Sequence, residues 1–268
     1  MNWLDALHQA HALGQACVTV TILDVRGSAP RGVGARLLVS EQGEFDTIGG
    51  GALEMQAIQR ARQILNQKGH HPLIESETYT LASELSQCCG GKVTLQFDYS
   101  PANEFFVTIF GAGHVSQAVV TILSELRCQV SVCDDRSEWV SQIQSRESAK
   151  AQVSVCALDD NPYSIVEDAR ANTFFLVMTH SHDLDYTCVE AVLGRDDIAY
   201  CGLIASKSKA ATFRSRLIKK GFTPQELQKL VAPIGQSVRT SNEPMAIAVA
   251  SVADMLSIRQ RQISQVQT

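Results

Sequence analysis

Phe105-Phe106-Val107-Thr108-Ile109-Phe110-Gly111-Ala112-Gly113-His114-Val115-Ser116, carried on to Val130-Ser131-Val132-Cys133-Asp134-Asp135-Arg136, decides the fold. The β-branched and aromatic run Phe105 to Phe110 reads as a strand buried on both faces, of the kind that parallel sheets use. Gly111 and Gly113 follow where the chain must turn sharply into a helix. In a turn of this type glycine lets the backbone approach a pyrophosphate, and the first helical N–H groups face the anion. Val115, Val119, Ile122, Leu123 and Leu126 fall on one apolar face of the predicted helix. A second strand, Gln129 to Cys133, ends at Asp134, roughly 20 residues past the glycines, where a βαβ unit places an acid that accepts from ribose hydroxyls. Ser116 stands at the third glycine position, so the match to G-x-G-x-x-G is incomplete.

Downstream, strands and helices alternate. Gln152 to Leu158, a helix from about Pro162, Phe174 to Thr179, a helix through Leu193 and Ala199 to Ala205 imply a parallel sheet covered on both faces. At the carboxyl end of the strand Phe174 to Thr179 lie His180, Ser181, His182, Asp183, Leu184 and Asp185. That edge of an open α/β sheet is where ligands collect. The spacing fails a binuclear metal pattern, because Leu184 and Asp185 occupy the positions of its aspartate and last histidine. No metal site is expected; Asp183 is expected to cap the following helix, with His180 and His182 at the cleft mouth as donors or acid–base groups. Ser206 and Lys207 open another helix at the same edge, placed to meet phosphate. The basic residues Arg214 to Lys220 read as a solvated face.

Upstream of the polar linker Ser100 to Glu104 the pattern changes, which sets a domain boundary between residues 1–100 and 105–268. A first helix presents Trp3, Leu4 and Leu7; strands are expected at Cys17 to Val25, Arg36 to Ser40, Glu44 to Ile48, Leu73 to Leu81 and Val93 to Phe97. The fold class is therefore α/β: an N-terminal α+β domain followed by a Rossmann-like parallel-sheet domain. Arg26 to Gly34, with Arg31 in it, is either a connector or an anion-binding loop. Gly49-Gly50-Gly51, before the helix Ala52 to Gln67, is either a nest of N–H donors or an aid to close packing. Glu54 is set to satisfy that helix dipole or orient an arginine. Cys88 and Cys89, backed by Gly90 and Gly91, are either incidental thiols in a turn or groups that ligate a soft metal, carry sulfur or sense oxidation.

Composition narrows the classes. With 268 residues and a formal net charge of −5 the chain has core for two domains and no concentrated basic stripe, so no nucleic-acid partner is expected. The apolar runs are strand-length and the N-terminus lacks a secretory pattern, so no membrane segment and a cytoplasmic location are expected. There the eight cysteines are read as thiols, with Cys17, Cys128, Cys133, Cys156 and Cys201 as small core hydrophobes.

Taken together, Arg26-Gly27-Ser28-Ala29-Pro30-Arg31, Ile48-Gly49-Gly50-Gly51-Ala52-Leu53-Glu54, Gln87-Cys88-Cys89-Gly90-Gly91, Gly111-Ala112-Gly113-His114-Val115, Thr179-His180-Ser181-His182-Asp183, Gly202-Leu203-Ile204-Ala205-Ser206-Lys207 and Pro233-Ile234-Gly235 resemble the xanthine dehydrogenase accessory proteins, the XdhC/CoxI-type molybdenum-cofactor chaperones. Ser116, Ala205 and the absence of Gly-Lys before Pro244 depart from the family pattern. The resemblance implies a non-catalytic factor of purine catabolism that binds the molybdenum cofactor, presents it to a cysteine desulfurase for sulfuration and inserts it into apo-xanthine dehydrogenase, as a homo-oligomer. On chemistry, the residues expected to meet cofactor are Arg31, Gly49, Gly50, Gly51, Cys88, Cys89, Gly111, Gly113, His114, Asp134, His180, His182, Ser206 and Lys207. A nucleotide in the Rossmann-like mouth is a further expectation. The alternative reading is an NAD(P)-dependent oxidoreductase that uses the Gly111 turn and Asp134, with His180 or His182 as proton donor.

Overall fold

The computed structural model describes residues 1–67, 72–81, 91–144, 151–158, 161–236 and 241–266. It divides into two compact units, Met1–Asn103 and Glu104–Thr268.

The N-terminal unit is a five-stranded antiparallel sheet in the order β3-β2-β1-β5-β4, from β1 (Cys17–Arg26), β2 (Arg36–Ser40), β3 (Gly43–Asp46), β4 (Leu73–Thr80) and β5 (Lys92–Ser100). Alternation along the strands supplies two faces. Leu37 and Val39 join Val18, Val20, Val93, Leu95 and Phe97 in a core shared with helix α2 (Gly51–Asn66), which contributes Leu53, Ala57, Ala61 and Ile64 at helical spacing. Leu38, between them, turns with Cys17 toward Ala6 and Ala10 of helix α1 (Trp3–Ala12). The expected strand Glu44 to Ile48 stops at Asp46, whose φ of 71° takes the chain out of the sheet.

The C-terminal unit is a six-stranded parallel sheet in the order β11-β10-β9-β6-β7-β8: β6 (Phe106–Phe110), β7 (Gln129–Asp134), β8 (Gln152–Ala157), β9 (Phe174–Val177), β10 (Tyr200–Leu203) and β11 (Leu230–Val231). Counted from β6 this is the doubly wound order 3-2-1-4-5-6, with its switch point between β6 and β9. Val107, Ile109, Val130, Val132, Phe174 and Leu176 face one core, filled by α3 (His114–Leu123) and α9 (Pro244–Val266). Phe110, Phe175, Val177 and Leu203 face the other, filled by α6 (His182–Leu193) and α7 (Lys207–Lys219). Burying side chains of this size on both faces is worth roughly 1.5–3 kcal/mol each, and it fixes the six strand ends that carry the turns described below. Shorter helices α4 (Ser137–Gln144), α5 (Tyr163–Asp168) and α8 (Pro224–Gln228) complete the unit.

Cys133 and Cys156, in register on β7 and β8, are joined as a disulfide with Cα atoms 4.6 Å apart, whereas both were expected as free thiols. The adjacent in-register positions of parallel strands bring their side chains to one side of the sheet within bonding reach. Arg214 is also not simply solvated: its guanidinium donates to the Leu227 and Leu230 carbonyls at 3.0 and 2.6 Å, and so ties α7 to the C-terminal end of α8. Among the described residues no helix is long and apolar enough to cross a membrane.

Candidate functional site

In the C-terminal unit the carboxyl ends of β6, β7 and β9 meet at the switch point. Gly111 is pinned from both sides: its N–H donates to Cys133 O at 2.8 Å, and the Met178 N–H donates to Phe110 O at 2.8 Å. Its φ is 101°, and a Cβ there would lie 2.3 Å from Met178 O and 2.9 Å from Thr179 Cα, so only glycine lets the two turns touch. Gly113 has open space where its Cβ would be and stands at the N-cap of α3, where it carries no side chain to occupy the helix N–H groups. His114 follows, exposed, with its ring edge-on to Trp139 at 4.9 Å.

Asp134 was expected to reach ribose. It is instead 4% exposed, and its carboxylate accepts from the Ala112 N–H at 2.5 Å, from the Arg136 N–H at 2.9 Å and from the Arg136 guanidinium at 2.9 and 2.7 Å. Burial pushes this carboxyl up, but the Arg136 and Ala112 hydrogen bonds and the guanidinium charge outweigh it and hold the group well below the usual carboxylate range. The physical reason for the correction is the pleat: the residue in line with the strand's buried positions turns under the glycine turn, and the next residue, Asp135, emerges into the mouth. Asp135 is half-exposed, 3.8 Å from His180 Nδ1 and 3.9 Å from Arg136 Nε.

The sign of the pH dependence follows from that depression. Between the folded and unfolded values the unfolded chain binds more protons, so Asp134 stabilises the fold fully above the ordinary carboxylate range, near pH 4. That stabilisation is lost as the pH falls below it. Asp134→Asn should therefore flatten the acid limb: melting temperature measured from pH 6 down to pH 2.5 should fall less steeply in the variant than in the parent protein. Parallel acid limbs would show that the carboxylate is not the group that matters.

His180 and His182 are both exposed at the β9 turn, and α6, which His182 opens, is capped by Ser181, whose hydroxyl accepts from the Leu184 N–H at 3.3 Å. Asp183, the expected cap, lies in the first turn; the Ser181 backbone is extended, as a cap requires, and Asp183 is already helical. Asp185 holds the corner from below. It is 1% exposed and accepts from the Thr179 N–H and hydroxyl at 2.9 and 2.8 Å, while its other oxygen pairs with the Lys209 ammonium, itself 11% exposed. Ser206 caps α7 with its hydroxyl on the Lys209 N–H at 3.1 Å, and Lys207 is exposed beside it. The pairing of Asp185 with Lys209 was not foreseen: Lys209 was read with Lys207 as a phosphate-facing lysine, and an acid in a helical first turn carries no such signal until β9 and β10 are placed side by side.

In the N-terminal unit Gly49, Gly50 and Gly51 all have positive φ, of 122°, 71° and 68°. A Cβ at Gly49 would lie 2.5 Å from Pro30 Cβ, and one at Gly91 would lie 2.4 Å from Ser28 O, so the loop 26–34 rests on both glycines. Packing is thus one purpose of this glycine run. The amide nest is also present, and it is filled: Glu54 accepts from the Ile48 N–H at 2.9 Å, the Gly50 N–H at 3.1 Å and the Thr47 hydroxyl, while the Gly49 N–H donates to Thr47 Oγ1 at 3.0 Å. Burial raises the Glu54 carboxyl, but these hydrogen bonds dominate and lower it. Arg31 is exposed, with no partner among the described residues, and its Cγ lies 3.2 Å from the Gly49 Cβ position. Cys88 and Cys89 lie outside the described residues. Among the described residues no group of three or more His, Cys, Asp or Glu could hold a metal ion.

The structure therefore gathers Gly111, Gly113, His114 and His180 at one mouth, with Asp134 beneath it. Ser206 and Lys207 stand one strand further along the same edge, and Arg31 stands beside Gly49 to Gly51 in the other unit.

Comparison with known proteins gives matches over both units. Residues 107–255 match the family model described as the XdhC Rossmann domain, and residues 10–77 match that of the XdhC and CoxI family. The uncharacterized protein YqeB of Escherichia coli strain K12 is 27% identical over 245 residues, which cover 89% of this chain and 42% of YqeB; the chain thus spans less than half the length of that curated relative. Among solved structures, one from Bacillus halodurans described as a xanthine dehydrogenase aligns with a TM-score of 0.47 and 20% identity over 97% of this chain and 96% of that one. The E. coli tRNA N6-threonylcarbamoyladenosine dehydratase TcdA aligns with a TM-score of 0.43 and 9% identity over 62% of this chain and 88% of that one.

Proposed function

Because the chain belongs to the XdhC family, we propose that it is a maturation factor for xanthine dehydrogenase that binds the molybdenum cofactor, shelters it for sulfuration by a cysteine desulfurase and passes it to the apoenzyme. The observation that carries this reading is the match of both units, residues 10–77 and 107–255, to models of one family.

The residues present are compatible with such a cargo. The cofactor, when bound, supplies a dithiolene-held metal centre, a pterin ring and a terminal phosphate. In the N-terminal unit, taken by itself, the exposed guanidinium of Arg31 is of a kind that pairs with a phosphate. In the C-terminal unit the mouth offers rings, a carboxylate and an imidazole, which suit a heterocycle, and the Ala112 amide of its glycine turn is already taken by Asp134. That same arrangement weighs against the NAD(P)-dependent oxidoreductase: the acid expected on the ribose is buried, and the Ala112 N–H of the glycine turn is committed to it.

The test is to purify the chain from cells with and without cofactor synthesis and to assay the denatured supernatant for molybdenum, oxidised pterin and nucleotide. Molybdenum and pterin are expected together, only from cells that make the cofactor, with an affinity of about micromolar or better. Preparations free of both, or loaded with nicotinamide dinucleotide instead, would remove the reading.

A further inference from the structure

At the mouth of the C-terminal unit the acceptor capacity of Asp135 is unspent. Asp134 is buried beneath the glycine turn with both oxygens hydrogen-bonded. Asp135 is different: its side chain is 49% exposed, and its nearest cationic or imidazole neighbours, Arg136 Nε at 3.9 Å and His180 Nδ1 at 3.8 Å, stand beyond hydrogen-bond distance. Among the described residues, nothing donates to its carboxylate. Its neighbour Arg136 leads to two rings. The Arg136 guanidinium, held by Asp134, lies 5.4 Å from the centre of the Trp139 ring, and His114 meets Trp139 edge-on. Above Gly113 there is open space.

A carboxylate that accepts no hydrogen bond from its own chain is matched by two parallel N–H donors, the geometry that makes guanidinium–carboxylate pairs bidentate. The 2-amino-4-oxo edge of a pterin carries such a pair, on N3 and the 2-amino group, on a flat ring that can lie against imidazole or indole. Adenine lacks that donor pair. A 2′-phosphate would meet the Asp134 and Asp135 charges, and a pyrophosphate would find the Ala112 amide taken.

We propose that Asp135, beside His180 and Arg136, is the recognition group for the pterin ring. This rests on the carrier reading for its choice of pterin over guanine, which presents the same edge.

The whole chain is titrated with 6-hydroxymethylpterin, with 6-hydroxymethyllumazine, in which a carbonyl replaces the 2-amino group, and with GMP, following the fluorescence of the pteridine probes directly and of GMP by displacement. Pterin should bind at least about tenfold more tightly than lumazine, because a site that accepts from a donor rejects the analogue lacking it. Asp135→Asn should weaken pterin about tenfold or more, with the exposed Lys219→Ala unchanged. The lumazine comparison needs no variant and stands even if Asp135→Asn misfolds. Equal binding of pterin and lumazine, or full affinity in a folded Asp135→Asn protein, overturns the proposal; so does GMP binding tighter than pterin, which would make the mouth a guanine nucleotide site. If the Asp135→Asn chain still copurifies with its full complement of molybdenum cofactor, this inference fails and the carrier reading stands. A chain that binds pterin through Asp135 yet never carries molybdenum from cells sinks the carrier reading alone.

Discussion

Gly111→Ala should destabilise the C-terminal unit by about 3–5 kcal/mol, the sum of a left-handed backbone that alanine resists and a contact it cannot make. The φ of 101° accounts for the first part. The second is unusually unforgiving, because the atoms a methyl would strike, Met178 O and Thr179 Cα, belong to the backbone and cannot rotate aside. Either the β6 turn or the β9 turn must move, and each is tied to the sheet by the hydrogen bonds of Gly111 and Met178. Gly113→Ser is the control: its φ of −66° suits any residue, the space beyond is open, and serine is a favoured N-cap. Urea unfolding followed by Trp139 fluorescence in a Trp3→Phe background should place the two variants several kcal/mol apart. A Gly111→Ala protein within 1 kcal/mol of its parent would show that the turns are not in contact as described.

Asp185→Ala should cost about 3–5 kcal/mol, because it leaves the Lys209 ammonium buried without its counter-charge and the Thr179 amide without an acceptor. Asp185 is 1% exposed and Lys209 only 11%, so water cannot replace the lost partner. Removing both charges should be milder than removing one. Asp185→Leu with Lys209→Met should recover most of the loss, since an apolar pair of similar volume avoids the desolvation that both charges undergo. A double-mutant cycle measures the coupling directly. A single substitution costing under 1 kcal/mol, or a double variant no better than the single, would mean that the pair is solvated in the working protein.

The two largest effects thus fall on residues that sequence reading treated very differently. Gly111 was legible because its neighbours constrain it: a strand buried on both faces, then glycine, then an amphipathic helix admits few backbone solutions. The same logic made the alternation of β6 to β11 with helices readable, and the observed order followed. Strand ends were less readable. Met178 and Thr179 continue the apolar and β-branched pattern of β9, but their backbone is committed to the turn against Gly111, so the strand stops at Val177. Asp134 and Asp135 form the sharpest case. Two identical side chains stand side by side, and which one turns inward depends on where the pleat places the last strand residue, a fact that composition does not contain. Ser181 and Asp183 pose the same problem at α6, since both are good caps and only the φ and ψ of the first turn separate them. Asp185 and Lys209, 24 residues apart, needed the strand order itself.

Three turns in this chain are answered from within: Glu54 at the triple glycine, Asp134 at the Gly111 turn and Asp185 at the Thr179 corner each supply the negative oxygen that a bound phosphate supplies elsewhere. In each turn the amides so held have their acceptor from the chain itself, with no bound molecule needed to supply it. Under the carrier reading proposed above, surrender of a cargo would leave those three carboxylates still holding their turns.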